Sequence, residues 1–267
     1  MKKMNRAMVL LSYCIAACGV IALLGFIGSS KADAVCEGIE VEMVRSQTDP
    51  LVTEDFIRQT LLNTSGQIVG ENLRQVDYDE IEDALKEIPF INHATVYTTV
   101  DNQLEVTVHE RTPIARLIDD KGVSALLDTE GYLMPVSGVS ASRLPVITGE
   151  LGMEKLLIES NLHVGDSVAN PNLAAAFEMA TLITADEIWS AQFQHLSFSN
   201  DGELVVYPQV GNHEIIFGSG RFEEKLDVLR TFYSKGMNEE AWNKYKSINL
   251  KYKDQIVCTK KYPYGGT

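Results

Sequence analysis

Apolar residues follow two different periods between residues 37 and 110. Residues 39–43 alternate apolar with acidic side chains, which is typical of a half-buried strand, and two stretches with apolar residues three or four apart follow, which indicates two amphipathic helices. Two more alternating stretches close the segment across Asp101-Asn102, a pair that tolerates the positive φ of a tight hairpin. The pattern predicts a compact β-α-α-β-β domain over residues 37–110.

The pattern changes over residues 111–261, where short strands separated by turn sequences dominate. One of the expected strands covers residues 189–198. Two helices are expected between the strands: the pair Asn170-Pro171 supplies an N-cap and a first helical residue, and the apolar positions of residues 222–233 end at Gly236. The chain after residue 36 is therefore predicted to be α+β, with a mostly β domain that carries two inserted helices.

The last apolar alternation runs over residues 247–258. It predicts a closing strand, with a bulge or turn at Asp254-Gln255. The strand is rich in lysine, as edge strands often are, because charge discourages uncontrolled pairing while backbone donors and acceptors stay free. The sequence therefore predicts an open sheet edge near the C-terminus, followed by a short tail over residues 262–267.

The N-terminal segment reads as a membrane anchor. Residues 7–28 carry no formal charge, and as a helix they would span roughly 33 Å, enough for a bilayer core of about 30 Å. Basic residues precede this run and acidic residues follow it, so the positive-inside rule places residues 1–6 in the cytoplasm and the bulk of the chain outside it. Two alternatives are a signal peptide cleaved near residues 28–30 and lipoprotein processing at Cys18, but the long apolar run favours an uncleaved anchor.

Charge narrows the class of partner. The chain has 23 Lys and Arg residues against 37 Asp and Glu, a formal net charge of -14, which argues against nucleic acid as the main partner. Residues 243–267 reverse this balance with six lysines against one aspartate, a local charge of +5. These lysines either favour an acidic partner segment or only keep an edge strand soluble, and both interpretations stay open.

Candidate chemistry is sparse. The five histidines are scattered, and no spacing of His or Cys suggests a metal site or a catalytic nucleophile, so neither a cofactor nor an enzymatic activity is expected. Gly218-Ser219-Gly220 lacks the lysine of a phosphate-binding loop and is interpreted as a strand-to-helix turn. Cys36 and Cys258 could form a disulfide if their Cα atoms approach within about 7 Å, which the sequence leaves open.

Several short motifs occur in a recognisable order. The first is a Glu-Arg-x-Pro-x-Ala junction that starts at residue 110, and an aliphatic-Asp-x-x-Gly hairpin follows from residue 127. A Leu-Pro-x-aliphatic-x-Gly strand starts at residue 144, a helix motif at residue 224 and a closing strand at residue 248. Taken together the chain resembles the bacterial cell-division family FtsQ/DivIB. It departs from the family's usual Trp at Phe90 and Leu117, and from its usual Asp at Asn249.

The resemblance implies a fold and a role. Residues 37–110 would form a POTRA-like domain, and residues 111–261 would form the β domain of a non-enzymatic, bitopic scaffold in the inner membrane at the division septum. This scaffold would bind FtsB/FtsL-type division proteins through its last strands, and other division proteins through the POTRA domain. The alternatives are a POTRA-containing envelope assembly or secretion factor, for which too little chain remains, and an anchored envelope enzyme, which lacks a catalytic motif.

The expected site follows from the closing strand. A partner strand would add to the open edge by β-augmentation, in which backbone hydrogen bonds give affinity and alternating side chains give selectivity. A second expectation concerns the domain junction at Glu110, Arg111 and Pro113, where Glu110-Arg111 is interpreted as a hinge or an orienting ion pair. The partner-binding residues are predicted to be Ser247, Ile248, Asn249, Leu250, Lys251, Tyr252, Lys253, Gln255 and Val257.

Overall fold

A computed structural model describes residues 11, 13, 15–21, 34–46, 49–136, 144–154, 162–166, 170–237, 241–253 and 255–261. The chain divides into two compact units. The first consists of Met1–Val44, Val52–Lys86 and His93–His109, and the second of Arg45–Leu51, Glu87–Asn92 and Glu110–Thr267.

The predicted anchor over residues 7–28 falls largely outside the described residues. Of this segment only residues 11, 13 and 15–21 are described, and they are helical. No helix within the described part of the chain combines the length and the apolarity needed to cross a bilayer. The anchor and the tail of residues 1–6 stay predictions.

The first unit has the predicted α+β architecture. Its three-stranded sheet has the order β1-β3-β2, and β1 runs parallel to β3. Asn102 has a φ of 61° at the hairpin between the last two strands, as its turn sequence predicted. The elements are β1 (Gly38–Val44), α1 (Glu54–Ser65), α2 (Tyr78–Lys86), β2 (Ile91–Thr98) and β3 (Gln103–Glu110).

The two helices of the first unit form where local signals and buried positions agree. Thr53 caps α1, because its side-chain oxygen accepts a hydrogen bond from the Phe56 backbone N–H at 3.3 Å. Each helix buries an apolar pair one turn apart, and the apolar face of the sheet is buried in the same unit. Fully burying such a side chain contributes about 1.5–3 kcal/mol. The buried side chains of the helices are Ile57, Leu61, Ile81 and Leu85.

The second unit contains a mixed sheet. Nine strands among the described residues form it, in the order β12-β11-β10-β9-β8-β7-β4-β5-β6. The strands are β4 (Pro113–Asp119), β5 (Ser124–Asp128), β6 (Leu133–Pro135), β7 (Val146–Gly149), β8 (Phe193–Phe198), β9 (Leu204–Pro208), β10 (Glu214–Gly218), β11 (Tyr245–Asn249) and β12 (Val257–Lys260).

Both predicted inserted helices are present, but the predicted number is wrong, because the described part of this unit has a third, shorter helix. They are α3 (Pro171–Thr184), α4 (Glu187–Gln192) and α5 (Phe222–Gly236), with a 3-10 turn at Ala241–Asn243. The short α4 occupies the start of the strand predicted over residues 189–198. A helix begins here because the Asp186 carboxylate accepts hydrogen bonds from two backbone N–H groups of the first helical turn.

The prediction of one closing strand over residues 247–258 is also wrong. The segment forms two antiparallel strands, β11 and β12, which a turn connects. The chain turns because the Asn249 side-chain oxygen accepts a hydrogen bond from the Lys251 backbone N–H at 2.9 Å, an Asx-type turn. As a result β11 is an interior strand, parallel to β10, and β12 is the edge of the sheet.

Candidate functional site

No other strand among the described residues pairs with the outer edge of β12. The Leu250 backbone N–H donates to Ile216 O in β10 at 2.9 Å, so by alternation the backbone groups of Ser247 and Asn249 face β12. In the register of the two strands, Ser247 and Asn249 pair with Thr259 and Val257. The N–H and C=O groups of the alternate residues of β12 are therefore directed outward. Among the described residues no side chain caps these groups. We call the outward backbone groups of Cys258 and Lys260 the C-terminal edge.

The predicted partner-binding residues separate into two groups. Ser247, Ile248 and Leu250 are buried and belong to the interior of the unit, so the expectation that the whole segment lines an open edge is wrong for them. Asn249 is half-buried and shapes the turn. The others are exposed beside β12 or on its start: Lys251, Tyr252, Lys253, Gln255 and Val257.

An open groove of about 670 Å³ adjoins this exposed segment. It lies between one face of α5 and the residues that lead into β12. Its apolar side chains include Val228, which is 42% exposed, and Phe232, whose ring lies 6.3 Å from that of Tyr245. This surface was not predicted from the sequence, although a valine outside the apolar stripe of an amphipathic helix is a signal that could have suggested it. We call it the edge groove; its lining is Asp227, Val228, Thr231, Phe232, Lys235, Gly236, Gln255 and Ile256.

The turn after β10 packs against the segment that follows β11. Lys225 is buried, and its Nζ donates hydrogen bonds to Phe217 O at 2.7 Å and to Ser219 O at 2.9 Å. Burial lowers the pKa of Lys225, but both carbonyls stabilise its ammonium group. Gly218 has a φ of +66°, and a Cβ there would lie 2.7 Å from the Lys251 side chain. The Gly218-Ser219-Gly220 segment is thus a strand-to-helix turn that receives the stem of Lys251.

Lys251 is held by an ion pair rather than free for a partner. Its Nζ contacts the Glu203 carboxylate of the loop before β9, which raises the pKa of Lys251. The other lysines near the edge have no such ion pair among the described residues. We call the exposed set the lysine rim: Lys244, Lys246, Lys253 and Lys260.

An aromatic cluster packs next to the chain that enters β11. His213 is buried, and its Nε2 lies 3.0 Å from the Tyr233 hydroxyl of α5. The rings of Tyr233 and Trp242 are 4.8 Å apart, so the 3-10 turn before β11 is fixed against α5. Burial lowers the pKa of His213, with Lys261 adding to the effect, and burial raises the pKa of Tyr233. Both side chains are therefore neutral at neutral pH.

The described residues offer little reactive chemistry. No three His, Cys, Asp or Glu side chains in the described ranges meet in a way that would hold a metal ion. Cys36 and Cys258 are both free thiols. The Cys36 Sγ donates to Gly38 O at 3.3 Å, and burial raises the pKa of Cys258, so that thiol is protonated at neutral pH.

The predicted junction residues do not pair with each other. Glu110 is buried and accepts a hydrogen bond from the Leu51 backbone N–H at 3.2 Å, with the Arg45 Nε 3.7 Å from its other oxygen. Arg111 donates to the Asp128 carboxylate at 2.8 Å. The Glu110-Arg111 ion pair is therefore not formed, because each side chain has its own partner of opposite charge within the second unit.

Asp128 organises the turn that follows β5. One carboxylate oxygen accepts from the Glu130 and Tyr132 backbone N–H groups at 2.9 and 2.7 Å, and the other accepts from Arg111. The Arg111 guanidinium lies 4.1 Å from the centroid of the Tyr132 ring. Pro113 is buried at the start of β4, opposite Asp128 in the register. The junction residues thus form contacts that stabilise the second unit.

Two family models match adjacent parts of the chain. Residues 112–259 match a family model described as FtsQ/DivIB, C-terminal related, and residues 34–109 match a model described as a POTRA-like domain. Three similar proteins are each named Cell division protein FtsQ. The one from Geobacter sp. (strain M21) is 24% identical over 240 residues, which is 89% of this chain and 82% of that protein.

The other two similar proteins cover less of the chain. The protein from Rhodothermus marinus is 24% identical over 193 residues, 70% of this chain and 67% of its own length. The protein from Bordetella pertussis is 29% identical over 131 residues, 44% of this chain and 46% of its own length.

Replacing Asp128 by Asn is expected to destabilise the second unit. The side chains of Asp128 and Arg111 are 1% and 10% exposed, and removing one partner of a buried ion pair costs about 3–5 kcal/mol where the other charge is left alone. The Glu130 carboxylate remains 3.7 Å from Arg111 Nη1, so we expect a loss at the lower end of this range. Urea denaturation measures this loss. The exposed Asp201→Asn is the matched control and should change the free energy of unfolding by less than about 0.5 kcal/mol; equal effects of the two variants would contradict the assignment.

Stability is expected to fall as the pH is lowered below about 6.5, where unfolded histidine becomes protonated. Because burial lowers the pKa of His213 in the folded protein, the unfolded state binds more protons in this range, with a slope of up to about 1.4 kcal/mol per pH unit for one such group. His213→Gln should flatten the pH dependence of urea unfolding between pH 7 and 5. The same substitution at the exposed His195 is the control, and an unchanged slope in His213→Gln would refute the prediction.

Proposed function

The chain belongs to the FtsQ/DivIB family, and from this we propose that it is a membrane-anchored, non-enzymatic scaffold in bacterial cell division. The observation that carries the proposal is the C-terminal edge, where the outward backbone groups of Cys258 and Lys260 have no cap among the described residues. Such an edge is a template for another strand. An extended segment of an FtsB/FtsL-type partner adds to β12 by β-augmentation.

Selectivity in this proposal comes from the surroundings of the edge. The lysine rim favours an acidic partner segment and acts mainly on the rate of encounter and on the register. The edge groove offers an apolar surface beside the same strand, with Val228 and Phe232 available to a partner side chain. Tyr252, which is 55% exposed, and Val257, which is 44% exposed, supply further contact area.

The first unit and the N-terminal segment complete the proposed scaffold. Other division proteins bind to the first unit, the POTRA-like domain. Residues 7–28 hold the protein in the inner membrane at the septum, with residues 1–6 in the cytoplasm and both units outside it. The family match argues for this role over an assembly or secretion factor. It also argues against an anchored enzyme, for which the described residues supply no reactive site.

A proline in the edge strand tests the docking mode. Lys260→Pro removes an outward-facing N–H and leaves the hydrogen bonds between β11 and β12 in place. We expect it to weaken capture of FtsB/FtsL-type partners by at least about tenfold, because the bonds lost are those that hold the incoming strand. Binding of purified partners to the full-length protein in detergent measures this. A proline at Leu250 would be unsuitable, because the Leu250 N–H bonds to Ile216 O inside the sheet.

Lys260→Ala is the matched control, because it removes the same charge and keeps the backbone N–H. It should weaken binding by only a few-fold, and this effect should shrink at high salt, as expected for exposed charges. Equal loss in the two variants would show that charge, and not strand addition, is responsible. Unchanged capture by Lys260→Pro would reject the C-terminal edge as the docking surface.

A further inference from the structure

Several chain segments of the second unit meet around one buried histidine. His213 is 4% exposed and stands directly before β10. Its Nε2 lies 3.0 Å from the Tyr233 hydroxyl of α5, and its ring centroid lies 6.0 Å from that of Trp242 in the 3-10 turn before β11. Lys261, the residue after β12, is close enough for its charge to act on the ring. His213 therefore links the turn before β10 to α5, to the entry of β11 and to the end of β12.

The turn between β9 and β10 leaves room for this ring. Gly211 has a φ of +93°, and a Cβ there would lie 2.6 Å from His213 Cε1 and 3.1 Å from Trp242 Cε3. On the other side the Tyr233 ring meets the His213 ring edge-on, at an interplanar angle of 84°. The histidine thus lies between a backbone without a side chain and two aromatic rings. Its position fixes where Trp242 packs.

Trp242 stands close to the residues that form the C-terminal edge. Tyr245, at the start of β11, pairs with Lys260 in the register of β11 and β12. The Lys261 backbone N–H donates to Lys244 O at 2.9 Å and extends this pairing toward the 3-10 turn. Because Lys260 supplies outward groups of the C-terminal edge, a shift of Trp242 reaches the docking strand through a short piece of chain.

The neutral form of His213 suits this site and the protonated form does not. Its Nδ1 is buried and forms no hydrogen bond of ordinary geometry with the described residues. The ionisable groups around the ring are the Tyr233 phenol, which burial keeps neutral by raising its pKa, and the Lys261 ammonium. Glu214, the next residue, points to the opposite face by alternation, and the two turns at the ring contain no ionisable side chain.

The electrostatic balance at the ring follows from these neighbours. Burial lowers the pKa of His213, a backbone contact with Trp242 opposes this, and the Lys261 charge lowers the pKa further. A proton on the ring would therefore be a buried charge with a like charge beside it, which favours movement of the ring into solvent.

We propose that His213 is a positioning residue for the C-terminal edge, which holds β11 and β12 in their docking geometry while it is neutral and releases them when it takes up a proton. After protonation the ring leaves its site and Trp242 loses a packing partner. The pairing of Tyr245 with Lys260 then loosens. Strand addition at β12 must first restore the lost geometry, so partner capture weakens as the pH falls.

This inference deepens the proposed function and rests on its docking of an extended partner segment to β12. The released ring has the ordinary histidine pKa of about 6.5, and the positioned ring has a lower one, so protons favour the released form below about pH 6.5. For one group of this kind, the loss of capture between pH 7.5 and 5.5 amounts to at most about tenfold. The acidity outside the membrane thereby regulates docking.

The first readout is capture of purified FtsB/FtsL-type partners by the full-length protein in detergent at pH 7.5, 6.5 and 5.5. His213→Gln is the test variant, because glutamine stays neutral over this range. The matched control is His195→Gln, which removes an exposed histidine from β8 of the same unit. A merely structural role of His213 would change the affinity without changing its pH dependence.

The second readout needs no partner. It is the protection of the Lys261 amide from hydrogen exchange, corrected for the intrinsic pH dependence of exchange, because this amide bonds to Lys244 O at the end of the two strands. The Leu250 amide, which bonds to Ile216 O in β10, is the internal reference.

In the unsubstituted protein and in His195→Gln we expect capture to fall about three- to tenfold between pH 7.5 and 5.5. Protection at Lys261 should fall at least about threefold over this range, and more than at Leu250. In His213→Gln both values should stay within about twofold across the range, because the titrating group is gone.

Tyr233→Phe keeps the test valid if His213→Gln folds poorly. It removes the hydroxyl beside His213 Nε2 and so weakens the positioned form. The fall in capture should move to higher pH by about half a unit. An unmoved profile in Tyr233→Phe would contradict the inference.

The inference would also be overturned if capture by His213→Gln had the same pH profile as capture by the unsubstituted protein. Equal loss of protection at Lys261 and Leu250 would overturn it too, because that result indicates general opening of the sheet. Absence of capture by the unsubstituted protein at pH 7.5 would instead contradict the proposed docking at β12, and the exchange readout would still decide whether His213 positions the strands.

Discussion

Backbone groups at the end of a sheet must find a hydrogen-bonding partner, and this constraint organises both units of the protein. Among the described residues, the sheet of the second unit ends at β12, where the N–H and C=O groups of Cys258 and Lys260 face outward. The first unit meets the same constraint differently, since Arg58 and Glu82 cap its two free edges. The edges therefore differ in whether a side chain completes the hydrogen bonds of their backbone groups.

The position of the open edge depends on a turn that is fixed from several sides. Asn249 bends the chain after β11, and the turn after β10, which Lys225 holds through two carbonyls, leaves space for the stem of Lys251. The cluster of Tyr233 and Trp242 fixes the entry into β11. In the proposed docking mode, these contacts hold the turn that leads to β12 in place, which lowers the entropic cost of adding a strand.

Much of the architecture could be predicted from the sequence. The alternation of residues 39–43, the helical stripes with Ile57 and Ile81, and the hairpin at Asn102 all depend on local spacing, and the structure confirms them. The errors occur where a single polar side chain overrides the apolar pattern. Asp186 caps a helix inside a predicted strand, and Asn249 turns a predicted single strand into two.

The sequence by itself determined the two-unit α+β organisation, the charge contrast between the acidic N-terminal unit and the lysine-rich end, and the resemblance to the FtsQ/DivIB family, because each of these follows from local pattern or order along the chain. Only the tertiary structure decided which strand is the edge, that Leu250 is buried, and that Glu82 covers Val96. Those features depend on which distant segments become neighbours, and residues such as Arg111 and Asp128 pair across a separation that no local period records.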